Sequence, residues 1–235
     1  MRFGVVVFPG SNCEQDVIHA LRYLGFNADY IWHQDTDLSG FDAIVLPGGF
    51  SYGDYLRCGA IARFSPVMES VIAFAGAGRP VIGICNGFQI LTEARLLPGA
   101  LLRNSGLKFI CESVPLRVEQ SVCKWIDLDP GVVLHMPINH NEGNYTCDET
   151  TLAALKRNGQ IVLRYCALDG TRAQGGSAPN GALDDIAGIC NESGTVFGLM
   201  PHPERVTDGL SGKHAKDGAS IFQAICTYVG EVSGS

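Results

Sequence analysis

Apolar residues along the chain fall into two patterns, short continuous runs and longer segments with helical spacing. Residues 3–8 form an apolar, β-branched run that stops at a Pro-Gly pair, which predicts a buried strand. A helix is predicted next, because Ser11 and Glu14 have the spacing of a capping box and apolar residues then recur every three or four positions up to Gly25. The first 25 residues are therefore predicted to form a strand–turn–helix unit.

The same alternation continues and predicts an α/β fold with a mostly parallel central sheet. Functional sites in such sheets lie at the carboxyl ends of the strands. Strands are predicted at 28–32, 43–46 and 80–84, and a helix at 66–75. Beyond residue 110 the runs become shorter, which predicts some antiparallel strands in the C-terminal half, at 114–118, 132–134, 161–165, 186–190 and 196–200. A surface loop is predicted at 170–181 and a closing helix at 219–229, and no repeat or composition shift divides 1–235, so a single domain is expected.

Composition narrows the class of partner. The chain is 46% hydrophobic and 17% charged, as in ordinary globular proteins, and its net charge is −7 with no basic block. Neither a nucleic acid nor an anionic membrane is therefore expected as a partner. The first apolar run is too short for a signal peptide, and no window reaches the roughly 18 apolar residues of a spanning helix, so we expect a cytoplasmic location.

Nine cysteines are present, an odd number that cannot pair completely within one chain. None of them forms a C-x-x-C pair, so the usual zinc and thioredoxin spacings are absent and no metal site is predicted. Most are expected to be buried thiols that act as small apolar residues. Which of them is a nucleophile has to be decided from its surroundings.

Cys85 is the candidate nucleophile. The segment Gly83-Ile84-Cys85-Asn86-Gly87 lies between a predicted strand and a candidate helix and is the cysteine form of the G-x-S-x-G nucleophile elbow. The flanking glycines permit a sharp turn, and a helix N-terminus favours the thiolate. A buried structural cysteine between two packing glycines is the alternative.

His202 and Glu204 are the candidate base and its orienting carboxylate. Prolines 201 and 203 flank the histidine, and we expect them to hold the chain extended so that residues 202 and 204 point to the same side. The motif alone is equally typical of a turn after a strand. Together with the elbow it predicts a nucleophile, base and carboxylate set.

A second glycine-rich loop, Leu46-Pro47-Gly48-Gly49-Phe50, follows a neighbouring predicted strand. Acyl transfer needs N–H donors for the developing oxyanion, and we assign the backbone N–H groups of Gly49 and Asn86 to this role. A plain turn is the alternative interpretation of the loop.

These motifs, with Gln89 after the elbow, resemble the class I glutamine amidotransferases with a Cys-His-Glu triad. The segments 8–14 (FPGSNCE), 47–54 (PGGFSYGD) and 185–192 (DIAGICNE) resemble one branch, the small glutaminase subunit of phosphoribosylformylglycinamidine synthase. The likeness covers nearly the whole chain. Two departures are Cys58, where the branch usually has alanine, and Asn139-His140-Asn141-Glu142-Gly143, where it usually has A-H-G-E-G.

The resemblance implies a flavodoxin-like three-layer sandwich and the hydrolysis of L-glutamine to glutamate and ammonia. It implies that Cys85, His202 and Glu204 are the triad, and that Gly48, Phe50, Gln89 and His140 contact the substrate. It also implies two partners, a large synthetase subunit with a small bridging subunit, and places ATP and Mg on the synthetase, leaving this chain without a cofactor. The chain contains no G-x-x-x-x-G-K-[ST] loop, which agrees with that division.

Two other kinds of function stay open at this point. One is a γ-glutamyl hydrolase or a peptidase that uses the same cysteine and histidine, and the other is a non-catalytic interaction subunit. Cys13 and Cys58 are expected in loops near the site, where their thiols could react without taking part in catalysis.

Overall fold

Strands and helices alternate along the chain in the computed structural model, which describes residues 1–173, 176–210, 214 and 216–233, with side chains as far as residue 230. The strands are β1 (Arg2–Val7), β2 (Asn27–Trp32), β3 (Ala43–Leu46), β4 (Val81–Ile84), β5 (Ala100–Leu102), β6 (Ile110–Val118), β7 (Val133–His140), β8 (Asn144–Thr146), β9 (Ile161–Tyr165), β10 (Ile186–Cys190) and β11 (Val196–Leu199). The helices are α1 (Glu14–Tyr23), α2 (Pro66–Gly76), α3 (Asn86–Glu93), α4 (Glu149–Arg157) and α5 (Ala219–Ser233).

Nine strands form one sheet in the order β2-β1-β3-β4-β11-β10-β9-β6-β7, and β5 pairs with β8 in a separate two-stranded sheet. Neighbours from β2 to β11 are parallel, and neighbours from β11 to β7 are antiparallel. The predicted α/β class, with antiparallel strands in the C-terminal half, is confirmed. The antiparallel half is as extensive as the parallel half. Among the described residues, no helix is both long and apolar enough to span a membrane.

Burial explains why the central strands were recognisable. β3, β4 and β11 are buried at every position, as expected for strands covered on both faces, and their sequences are continuous apolar runs. The two edge strands are only partly buried: β2 has two buried residues, Ala28 and Ile31, and β7 alternates strictly along its length. The prediction of 132–134 was therefore too short, because β7 continues with one partly exposed face to His140.

The predicted capping box at the start of α1 is wrong. The helix begins at Glu14 with Cys13 as its N-cap, and no side chain caps it. Ser11 is engaged elsewhere, because its Oγ accepts a hydrogen bond from the Phe8 N–H at 3.1 Å. The turn after β1 is tied instead to the loop after β3, through an isolated bridge between Ser11 and Gly49.

Three elements were not predicted: β5, β8 and α4. The signal for α4 was present, since Asp148 caps it by accepting from the Thr151 N–H at 2.7 Å. In the predicted loop 170–181, residues 174 and 175 lie outside the described residues, and the described remainder has neither helix nor strand. The prediction of a closing helix is confirmed by α5, which continues to residue 233.

The topology positions the site. β3, β4 and β11 are adjacent and parallel, so their carboxyl ends meet at one edge of the sheet. The segments that leave these ends carry Gly48 and Gly49, Cys85, and His202 respectively. Side chains far apart in sequence are thereby brought together.

Candidate active site

Cys85 is the single residue between β4 and α3, and its backbone is strained. Its φ of 50° and ψ of −103° lie outside the regions that L-residues usually adopt, a conformation that costs about 1–3 kcal/mol. The Cys85 N–H holds the turn in place by donating to Leu199 O at 2.8 Å. A strand-to-helix turn of this kind is the predicted nucleophile elbow.

The two flanking glycines are required by close approach. A Cβ at Gly83 would lie 2.5 Å from Gly87 O, and a Cβ at Gly87 would collide with the carbonyl of Leu46 in β3. The elbow therefore packs backbone against backbone. Cys85 itself is 5% exposed, and its Sγ donates to Asn139 O over 3.8 Å.

His202 and Glu204 form a buried pair. His202 Nδ1 lies 2.6 Å from Glu204 Oε1, and the two residues are 1% and 4% exposed. The expectation of an extended chain here is wrong, because Pro203–Arg205 is a 3₁₀ turn. Proline is compatible with the first position of such a turn, where no N–H is needed, and the turn itself places residue 204 beside residue 202.

The surroundings of His202 favour its protonated form. Burial opposes a charge there, but the adjacent Glu204 carboxylate and the Cys85 and Cys13 thiols outweigh it and hold the pKa of His202 well above its usual value. His202 Nε2 is buried and makes no hydrogen bond to any described residue. The arrangement can supply an imidazolium beside the Cys85 sulfur, with one ring nitrogen fixed by a carboxylate and the other free to exchange a proton.

The loop after β3 is tied to the start of α3 by the side chain of Asn86. Its Oδ1 accepts from the Ser51 N–H at 3.1 Å, and its Nδ2 donates to Gln89 Oε1 at 2.8 Å. Gly49 has a φ of 137°, and a Cβ there would lie 2.7 Å from Asn12 N. The two backbone N–H groups assigned to the oxyanion, those of Gly49 and Asn86, therefore lie in segments that are hydrogen-bonded to each other.

Gly48 lies against His202. A Cβ at this position would be 2.8 Å from His202 Cε1 and 3.1 Å from Cys13 Sγ, so any larger residue would displace the imidazole. Gly48 O accepts from the Cys13 N–H at 3.3 Å. Gly48 thus allows the turn after β1 to pack beside His202.

Gln89 is buried on α3, one turn beyond Cys85. Its Nε2 donates to Glu142 O at 2.6 Å, while its Oε1 is held by Asn86. Both ends of the amide are therefore fixed, and the side chain joins α3 to the segment after β7.

His140 ends β7 and is 3% exposed. Its Nδ1 lies 3.1 Å from Asn104 Oδ1, which also accepts from the Gly143 N–H at 3.0 Å, so this nitrogen carries the hydrogen. Burial and the charge of His202 lower the pKa of His140 to about 4, so the ring is neutral near pH 7. Phe50 stands apart from this group: the residue is 44% exposed, and its N–H donates to Gly10 O.

Two site residues, Asp54 and Glu142, received no role from the sequence although both lie in the quoted segments. Asp54 and Glu142 surround Cys58, whose Sγ donates to Glu142 Oε2 over 3.5 Å, and Asp54 also accepts from Asn86 Nδ2 over 3.4 Å. Burial, followed by these two carboxylates, raises the pKa of Cys58. Cys13 lies beside His202, in agreement with the prediction that it is near the site.

Comparisons with known proteins show the family of the chain. A family model described as a CobB/CobQ-like glutamine amidotransferase domain matches residues 1–229. Proteins named phosphoribosylformylglycinamidine synthase subunit PurQ are 54% identical in Thermomicrobium roseum, over all of this chain and 99% of the relative, and 53% identical in Nostoc, over 97% and 98%.

Solved structures give the same result at the level of the fold. A chain from the structure of PurLQS from Thermotoga maritima is 43% identical, covers 97% of this chain and 98% of its own length, and superposes with a TM-score of 0.85. A glutamine amidotransferase from Thermotoga maritima, 15% identical, has a TM-score of 0.54 over all of this chain and 94% of its own, a likeness of fold alone. The chain belongs to the glutamine amidotransferase family and, within it, to the PurQ subunits of phosphoribosylformylglycinamidine synthase.

Proposed function

We propose that this chain hydrolyses L-glutamine to glutamate and ammonia on Cys85 and delivers the ammonia to a separate synthetase subunit. The observation that carries the proposal is the convergence on one thiol of a strained strand-to-helix turn and a buried imidazole–carboxylate pair. In acyl transfer from an amide, the turn presents the nucleophilic sulfur, and the imidazole–carboxylate pair transfers protons.

In the first half of the reaction, the Cys85 sulfur attacks the side-chain carboxamide carbon of glutamine. The N–H groups of Gly49 and Asn86 stabilise the oxyanion of the tetrahedral intermediate. His202 then gives a proton to the nitrogen, the C–N bond breaks, and ammonia leaves while a γ-glutamyl thioester remains on Cys85.

In the second half, His202 takes a proton from water, and the water oxygen attacks the thioester carbonyl. The C–S bond breaks, glutamate leaves, and the thiolate and imidazolium are restored. Glu204 holds the ring in one orientation throughout and stabilises its positive charge.

Gly48, Phe50, Gln89 and His140 are proposed to hold the glutamine. Gln89 supports this assignment because its amide is fixed at both ends and lies one helical turn from Cys85. Neutral His140 supports it because its buried Nε2 has no hydrogen-bond partner among the described residues and can accept one from the substrate.

The partners in this proposal are a large synthetase subunit together with a small bridging subunit. The structure of PurLQS supports them, because a chain similar to this one forms part of it. The synthetase would bind ATP and Mg and use the ammonia to convert phosphoribosylformylglycinamide into phosphoribosylformylglycinamidine, a step of purine synthesis in the cytoplasm. This chain would need no cofactor of its own.

Glutamate release by the isolated chain and by the reconstituted complex tests the proposal. We expect low activity alone and higher activity in the complex, because ammonia released without a synthetase is wasted. Cys85→Ala should lower glutamine-dependent amidine formation by about 10⁴-fold or more and leave ammonia-dependent formation intact.

Cys111→Ala, at an exposed position on β6, is the matched control and should behave like the unmodified chain. Equal loss of the glutamine-dependent and ammonia-dependent reactions in Cys85→Ala would contradict the proposal, as would full activity of the isolated chain.

A further inference from the structure

Asn104 lies between β5 and β6 and is hydrogen-bonded to the end of β7 and the turn that follows it. The residue is fully buried. Its side-chain Nδ2 donates to His140 O at 2.9 Å, and its Oδ1 accepts from the Gly143 N–H at 3.0 Å. Its backbone N–H donates to Asn141 O at 2.8 Å. Asn104 therefore fixes the backbone of this segment at three points.

The same segment borders the proposed glutamine site on both sides of His140. On one side, Asn139 O accepts from the Cys85 thiol over 3.8 Å. On the other, Glu142 O accepts from Gln89 Nε2 at 2.6 Å. The position of this backbone therefore determines contacts of both the nucleophile and a proposed substrate-binding residue.

Backbone groups fix the orientation of the Asn104 amide. The carbonyl groups of His140 and Lys108 can only accept, and they face Nδ2 at 2.9 Å and 2.8 Å. The Gly143 N–H can only donate, and it faces Oδ1. A rotated amide would place donor against donor and acceptor against acceptor at these contacts. Oδ1 is therefore the atom of Asn104 that faces the His140 ring.

The amide in turn determines which ring nitrogen of His140 carries the hydrogen. Asn104 Oδ1 lies 3.1 Å from Nδ1, and because an amide oxygen can only accept, Nδ1 is the donor. The pKa of His140 is about 4, so the ring is neutral near pH 7 and Nε2 carries a lone pair. A Cβ at Gly143 would collide with the ring, so the backbone packs directly against the imidazole there. Both the tautomer and the orientation of the ring are thereby fixed.

We propose that Asn104 is a positioning residue of the glutamine site, which holds His140 so that its Nε2 lone pair accepts a hydrogen bond from an N–H of bound glutamine. The inference rests on the proposed function, since it concerns how the same site holds its substrate. Nε2 is buried and has no hydrogen-bond partner among the described residues, so its lone pair is available. A hydrogen on Nε2 would oppose the N–H of the substrate, and the bond would be lost.

The tautomer of His140 tests the proposal. Long-range proton–nitrogen correlation spectra of the full-length, ¹⁵N-labelled chain distinguish a hydrogen on Nδ1 from one on Nε2, and His140→Gln identifies the signals. We expect the Nδ1–H form in the unmodified chain at pH 7. Asn104→Ala should lose this form and raise KM for glutamine in the complex by about 5–30-fold, with a smaller change in kcat, as one lost hydrogen bond predicts. Asn104→Ser, whose side chain is shorter, provides the same test if Asn104→Ala does not fold.

Asn180→Ala is the matched control. Asn180 is as deeply buried as Asn104, and its Nδ2 also bonds to this segment, at Gly143 O over 2.8 Å. Its other Nδ2 hydrogen bond goes to Tyr165 OH and not to the ring of His140. Asn180→Ala should therefore lower the free energy of unfolding in urea but keep the Nδ1–H form of His140.

An Nε2–H form in the unmodified chain would overturn the inference, as would an unchanged tautomer or an unchanged KM in the folded Asn104 variants. Loss of the Nδ1–H form in Asn180→Ala would also overturn it, because general loosening of the segment would then explain the effect. These results concern the inference alone, whereas an unmodified complex that forms no glutamate from glutamine would contradict the proposed function.

Discussion

His202 Nδ1 and Glu204 Oε1 are 2.6 Å apart in the interior of the protein, two residues apart in sequence. A 3₁₀ turn that begins at Pro203 produces this contact, and the N–H of His202 donates to Pro137 O at 2.9 Å, which anchors the turn to β7. The pair is therefore rigidly placed before any substrate arrives. Preorganisation of this kind is what a proton carrier in acyl transfer requires.

Glu204→Gln should lower kcat for glutamine hydrolysis in the complex by about 10²–10⁴-fold. The amide keeps the shape of the side chain but removes the negative charge that raises the pKa of His202. The pH profile of kcat should shift to lower pH, since the His202 ring then loses its proton at lower pH. Glu112→Gln, exposed on β6, is the control and should change neither quantity. An unshifted profile with normal kcat in Glu204→Gln would contradict the assigned role.

Gly87→Ala should destabilise the protein by several kcal/mol and remove glutaminase activity. The added Cβ collides with the backbone carbonyl of Leu46, which cannot move without disturbing β3. Gly76→Ala is the matched control, because Gly76 is also helical and a Cβ there meets nothing within 4 Å. That variant should be neutral or more stable by up to about 1 kcal/mol. Urea denaturation measures both, and equal stability of the two variants would contradict the packing described for the elbow.

Gln89→Ala should raise KM for glutamine by about 5–150-fold, the equivalent of about 1–3 kcal/mol, with a smaller effect on kcat. The change removes the amide that is proposed to hold the substrate. Gln160→Ala is the comparison, because Gln160 is equally buried and donates to a backbone carbonyl, that of Cys190. It should lower stability and leave KM unchanged. A normal KM in Gln89→Ala would remove Gln89 from the substrate site.

His140 should make the protein less stable as the pH falls from 7 to 5. Its pKa is about 4 in the folded protein and about 6.5 when unfolded, so the unfolded chain binds more protons in this range and stability decreases with decreasing pH. The shift corresponds to a loss of about 2 kcal/mol between pH 7 and 5. Urea unfolding of the unmodified chain and of His140→Gln at both pH values measures it. The variant should have the flatter dependence, and identical slopes would show that His140 is not held neutral.

The sequence predicted those strands and helices whose apolar residues recur with an unambiguous spacing. β3 and β10 have the predicted bounds because both are short apolar runs buried at every position. β7 was predicted at less than half its length, since it alternates between buried and partly exposed residues and contains Pro137. α4 was missed because only Leu155 of its nine residues is buried, which leaves a weak apolar pattern.

The candidate site likewise has parts that the sequence predicts and parts that it does not. The elbow and the His202–Glu204 pair were predictable because each is local in sequence. The contact of Cys13 with His202 joins residues 189 positions apart, and the Asp54–Cys58–Glu142 group joins two loops, so neither leaves a local pattern. The first arises from the parallel strand order, since Cys13 follows β1 and His202 follows β11, whereas the second brings the segment after the antiparallel strand β7 to the loop after β3.

Covalent labelling by a glutamine analogue that carries an electrophilic diazoketone is the decisive test that Cys85 is the nucleophile of the glutamine site. A thiolate in the glutamine site attacks the reagent, and mass spectrometry of the digested protein identifies the residue that carries it. We expect one equivalent on Cys85, prevented by excess L-glutamine, and no label on the other eight cysteines. Label on Cys13 or Cys58 in place of Cys85, or modification that glutamine does not prevent, would contradict it.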